Sequence, residues 1–221
     1  MASESEKLPL GLMVPPVPAG VEIPPEPPDV GARALSVASR LLCGASTFFF
    51  LAFLFAYFYL RSINQDGQWH PAHVNPAKGL GAIFIVCIVV SAGLAVLSGR
   101  QMKVKSPSWL GPAIGSVVFG LAAIVVQCVE FTVQDFGPTN GAYASVFCAW
   151  SAFYMLGVLG TMYWLETQVA TELRARRTPA ATDGDIKDPD RLIAPGLDAA
   201  VFFWAFLAGI GVVTYVTLYL L

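Results

Sequence analysis

Glu130 and Gln127 are the side chains in this 221-residue chain best placed to do chemistry. They sit at the end of a long apolar stretch, and residues three apart share one helix face. Carboxyl and amide can therefore bond each other or a common neighbouring helix. An ionisable group inside a membrane is costly and marks a functional candidate by default. A carboxylate at the end of a span can also simply reach water, and spacing alone leaves both readings open. Glu166 reads as a solvated helix end. Asp198 reads as the opening residue of a helix, where a carboxylate caps free amides and suits the dipole. The two histidines, His70 and His73, form an H-x-x-H pair in a loop. Such a pair could bind copper or zinc, but it needs further ligands and none is evident. Cys43, Cys87, Cys128 and Cys148 are spread over four apolar stretches without C-x-x-C spacing. Small buried side chains explain them better than a disulfide framework or a zinc site.

These residues must be positioned by membrane helices. The chain is 56% hydrophobic and 13% charged, where a soluble domain carries about 25% charged residues. A hydrocarbon core about 30 Å thick needs roughly 20 apolar residues in a helix. Residues 41–60, 79–98, 110–129, 142–165 and 199–221 meet that requirement. The expected fold is all-α, an integral membrane bundle of five transmembrane helices spanning residues 33–221. No histidine lies in any span, and membrane haem is held mainly by histidine, cysteine or methionine. The chain is thus expected to bind neither haem nor a metal directly. It shows no phosphate-binding glycine loop, no nucleophile beside a base and no basic surface for nucleic acid. A transporter is disfavoured, because inverted repeats and broken polar helices are missing.

Residues 1–32 hold eight prolines between Pro9 and Pro28. Proline lacks an amide donor and fixes φ, so this arm is expected to be extended and disordered. No cleavable leader is expected. The segment 180–190 reads as a flexible part of a long charged loop, 166–197. Lysine and arginine are distributed unevenly. Lys7, Arg33, Arg40, Arg100, Lys103, Lys105, Arg174, Arg176, Arg177, Lys187 and Arg191 fall on one side, and only Arg61 and Lys78 on the other. The positive-inside rule then places the N-terminus in the cytoplasm and the C-terminus outside. Gly157 with Gly160 and Thr161, and Ala205 with Gly209, are small residues at spacings that let helix backbones approach.

Five stretches, in order, resemble subunit III of the haem–copper cytochrome oxidases in its shorter, five-helix bacterial form. Residues 50–61 read FLAFLFAYFYLR, similar to the family's opening helix. Gly67-x-Trp69-x-Pro71 is followed by Asn75-Pro76, similar to the family's G-x-W-x-P turn. Gln127-x-x-Glu130-Phe131 matches its Q-x-x-E-aromatic ending, and residues 141–147, GAYASVF, its entry to the next helix. Trp204-x-Phe206 and a late Tyr219 complete the set. The chain departs from the family where a glutamate is usual (Thr47), where two histidines are usual (Tyr154 and Gly157), and where a His and an Asp flank the last aromatic (Ala205 and Ala208).

The resemblance implies a divergent, non-catalytic subunit of a bacterial plasma-membrane oxidase in aerobic respiratory electron transport. Haem and copper are then expected in partner subunits, the haem-bearing subunit I and the copper-bearing subunit II. Phospholipid is expected in a cleft between helix groups. Gln127 and Glu130 would form a structural polar pair, while Trp204, Phe206, Tyr143, Gly157 and Gly160 would pack against lipid or a partner helix. A subunit III-like partner of a nitric oxide reductase is the alternative.

Overall fold

The computed structural model describes residues 28–64, 67, 69–71, 73–177 and 189–221. Most of the proline-rich arm and the 178–188 part of the fourth loop lie outside the described residues. Five helices follow one another: α1 (Pro28–Ser62), α2 (Lys78–Lys103), α3 (Leu110–Val133), α4 (Ala142–Arg177) and α5 (Pro189–Tyr215). Each contains a stretch long and apolar enough to cross a membrane. No strand occurs among the described residues.

At the basic end four helices run beyond the apolar windows read from the sequence: α2 reaches Lys103, and α1, α4 and α5 extend further. α1 begins at Pro28, inside the stretch expected to be extended. Proline is compatible with the first helical position, because the amide there has no intrahelical partner. α4 continues through the charged segment to Arg177, along a run of good helix formers. α5 starts at Pro189 and contains Pro195. This corrects the reading of Asp198 as a helix cap. It sits within α5, and its carboxylate instead pairs with Lys103 at 2.7 Å, joining the body of α5 to the end of α2. Both side chains are well exposed, so the pair contributes little stability.

α5 is the centre of the bundle, in contact with α1, α2 and α4, while α3 closes against α2 and α4. α1 packs on α5 and α4 but not appreciably on α2. The buried face of α3 is a narrow seam of Ala113, Ser116, Gly120, Ala123, Gln127 and Glu130. These alternate three and four apart, so they stack on one side of the helix. Four small residues bring α3 close to its neighbours by van der Waals packing, and the seam ends on the polar pair. At the other extreme, the turn between α2 and α3 places Lys105 at φ 54°, and Ser98 donates to the Trp109 carbonyl at 3.0 Å.

The last turn of the fifth span, Val216–Leu220, widens into a π-helix. Its closing bond runs from the Leu221 amide to the Val216 carbonyl at 3.1 Å. π-turns shift the register of the side chains they carry and are enriched at functional sites. This one carries Tyr219.

Candidate functional site

At the end of the bundle formed by the first and third loops, side chains from four helices converge. Glu130 is 1% exposed and Gln127 2%, which settles the question that spacing left open: the carboxyl faces the bundle and not water. Gln127 donates its Nε2–H to Glu130 Oε2 at 2.9 Å. The Tyr219 hydroxyl donates to Glu130 Oε1 at 2.8 Å. Both carboxyl oxygens thus have partners, as an ionisable group withdrawn from water requires. α3 and α5 otherwise pack little on each other, so this bond ties two helices that the main packing leaves apart.

Tyr219 can reach Glu130 because its ring lies over Gly81 of α2, where a side-chain Cβ would collide with it. On its other side the ring meets Phe147 of α4 at 5.4 Å between centroids. Tyr143 donates its hydroxyl to the Leu218 carbonyl, in the last turn, where carbonyls lack intrahelical donors. Tyr143, Tyr57 and Trp69 form a mutual edge-on triad, with centroids 5.1 to 6.4 Å apart. The loop residue Trp69 is held by its own backbone: its amide donates to Asn64 Oδ1 at 2.8 Å, and its carbonyl accepts from the Tyr143 amide at 3.1 Å. The G-x-W-x-P turn is therefore docked on the start of α4.

The remaining residues singled out from the sequence are dispersed. Trp204 is fully buried, and its Nε1–H donates to Ser91 Oγ at 3.1 Å. Ser91 in turn donates to the Ser116 carbonyl at 2.6 Å, so a polar chain crosses from α5 through α2 to α3. Phe206 is half-buried. Gly157 lies beneath Leu207, and Gly160 faces open space. His70 and His73 are exposed, and His70 lies against Tyr143, 4.5 Å between ring centroids. Among the described residues no three His, Cys, Asp or Glu side chains come together as metal ligands would.

The positions that depart from the family pattern are occupied by packing. Tyr154 donates to the Leu207 carbonyl at 3.0 Å, across the backbone of Gly211. Thr47 bonds the Cys43 carbonyl of its own helix at 2.8 Å. Ala208 is buried and Ala205 exposed. Sequence reasoning missed the Ser91–Ser116 link and the partnership of Tyr154 with α5. Neither leaves a local signal, because serine and tyrosine are ordinary at those spacings.

Taken together, the arrangement can hold helices in register and can accept or donate hydrogen bonds. No family model matches the chain. It is similar to curated proteins named cytochrome c oxidase subunit 3. The protein from Pyricularia grisea is 23% identical over 194 residues, covering 85% of this chain and 67% of its own length. The one from Struthio camelus is 24% identical over 199 residues, covering 85% and 69%. The one from Podospora anserina is 23% identical over 211 residues, covering 90% and 74%. Identity is low while coverage is high, which is the pattern of a divergent relative of those proteins.

Proposed function

We propose that this chain is a non-catalytic, subunit III-like component of a haem–copper terminal oxidase, packed in the membrane against the haem-bearing subunit. The observation that carries the reading is the similarity, over 85% of the chain, to proteins named cytochrome c oxidase subunit 3. The geometry agrees with it. Gln127, Glu130, Tyr143 and Tyr219, all from stretches that resemble the family, are spent on holding α3, α4 and α5 together. Haem and copper belong to the partner subunits I and II in this reading, and phospholipid lies in a cleft between helix groups.

Purification of the tagged chain in mild detergent tests this directly. The expected result is co-purification with a haem-bearing subunit and a visible haem spectrum that disappears when the chain is isolated alone. Recovery of a nitric oxide reductase subunit, or of the chain alone from intact membranes, would overturn the assignment.

The same reading places the protein in a bacterial plasma membrane, N-terminus in the cytoplasm, supported by the uneven distribution of lysine and arginine. A reporter active only outside the cytoplasm is expected to work after Leu221 and to be silent after Arg177. The reverse pattern would invert the orientation.

A further inference from the structure

We propose that the outward face of α1 is a contact between two copies of this chain, paired in parallel as a coiled coil about a two-fold axis along the membrane normal. α1 is the helix least covered by the rest of the bundle: 11% of its apolar window is buried, against 28% to 50% for the other four. Val30, Ala34, Val37 and Leu41 are exposed and recur four and three residues apart. The same alternation continues through Phe48 and Phe55 to Phe58, with every position exposed. From Val30 to Phe58 the row covers four heptads, with the 3.5-residue period that keeps one face toward a partner helix. Its first turns stand outside the bilayer. Arg40 and Arg61 are 21 positions apart, a rise of about 32 Å that matches the hydrocarbon thickness. Val30, Ala34 and Val37 lie beyond Arg40, where lipid tails do not reach. Lipid can cover the row from Leu41 onward, but its beginning must meet either protein or water.

A second copy fits this face in orientation, charge and size. Two copies inserted with one topology present parallel rows at equal depth, so each layer meets its twin, as an isologous contact requires. Arg33 and Arg40 follow each other by seven positions on one flank of the row. In a parallel coiled coil a residue on that flank faces the one five positions further along the partner. Those places hold Ala38 and Ala45, so the pairing sets no like charges against each other. The row is about 42 Å long and about 11 Å wide, a footprint of roughly 1,000 Å² for the two copies, enough for a specific interface. Phe50 and Tyr57 point to the other side of α1, against Tyr154 and Trp69, so pairing leaves the packing of α1 on its own bundle intact. The contact rests on α1 and on the chain lying in a membrane, and is independent of which complex the chain joins.

The test uses the full chain reconstituted in phosphatidylcholine vesicles, with Cys43, Cys87, Cys128 and Cys148 changed to alanine and one cysteine restored as V37C or S36C. Ser36 is on the opposite side of α1, lining a cavity shared with α2 and α5. A cysteine in the row comes within disulfide distance of its twin, whereas one on the opposite side does not. Oxidation by copper phenanthroline is expected to link V37C into dimers about tenfold faster than S36C. The yield is expected to hold when more lipid dilutes the protein. A34C, one turn away in the row, is a second reporter. V37E sets two carboxylates face to face at the axis and is expected to weaken pairing about tenfold, read by energy transfer between fluorescently tagged copies. Val37 is exposed, and an unchanged unfolding temperature excludes a folding defect in V37E. Equal linking of V37C and S36C, no linking of V37C or A34C, or a yield that falls in proportion to protein density would overturn the proposal. So would pairing of V37E within about twofold of the parent.

Discussion

Replacing Trp204 with alanine is expected to be the most damaging single change in the chain, lowering stability by about 3–5 kcal/mol. The side chain is fully buried at the centre of α5, the helix that touches α1, α2 and α4. In lipid the transfer term of a buried apolar group shrinks, because the surrounding tails are as apolar as the core. The dispersion attraction forfeited by the side chains around the resulting cavity does not shrink. The change also strands Ser91 Oγ, which accepts from Trp204 at 3.1 Å and donates onward to the Ser116 carbonyl at 2.6 Å. Trp204→Phe keeps most of the volume and removes only the indole donor, so it is expected to cost about 1 kcal/mol. Unfolding in mixed detergent micelles measures both. Near-equal losses for alanine and phenylalanine would show that the hydrogen bond, and not the packing, dominates. An alanine variant as stable as the parent would show that α5 does not depend on this side chain for its packing.

Changing Glu130 to leucine is expected to destabilise the bundle by about 1–3 kcal/mol, because it leaves the Gln127 amide and the Tyr219 hydroxyl buried without their acceptor. The same variant is expected to release the partner subunit sooner in detergent, since the α3–α5 tie holds the end of the bundle in one arrangement. Glu130→Gln retains an acceptor for Tyr219 and should be milder. Tyr219→Phe removes one donor, and the double variant Glu130→Gln/Tyr219→Phe should show a coupling of about 0.5–1.7 kcal/mol, the range for interhelical hydrogen bonds in membranes. Gly81 supplies a check from the far side of the ring. A side chain there displaces Tyr219 and should reproduce part of the Glu130→Leu effect with the carboxyl intact. If Glu130→Leu, Glu130→Gln and Tyr219→Phe all match the parent in stability and in partner retention, the tie has no structural role.

The five membrane crossings were legible in the sequence because a span is a local property. About twenty apolar residues must bond their own backbone wherever no water can do so. The Gln127–Glu130 pair was legible for the same reason, since helical periodicity alone places i and i+3 on one face. The helix ends were less so. Pro28, Pro189 and the charged run to Arg177 read as breaks or loops, yet the described helices include them. Beyond the bilayer, helix persistence depends on propensity and tertiary support, not hydropathy. Asp198 shows the cost of that gap: it looked like a cap and is an ion-pair partner of Lys103.

What only the tertiary structure decided is which side chains meet. Glu130 could have faced water or the bundle. The choice went to the bundle because Tyr219, 89 positions away along the chain, lies over a residue with no side chain at Gly81 on a turn of widened pitch. Trp204 and Ser91 are 113 positions apart, and Arg61 and Lys78 share one cavity only through the way α1, α2 and α5 are set. Periodicity reports a face. It carries no information about what lies opposite, because that is fixed by how all five helices pack at once.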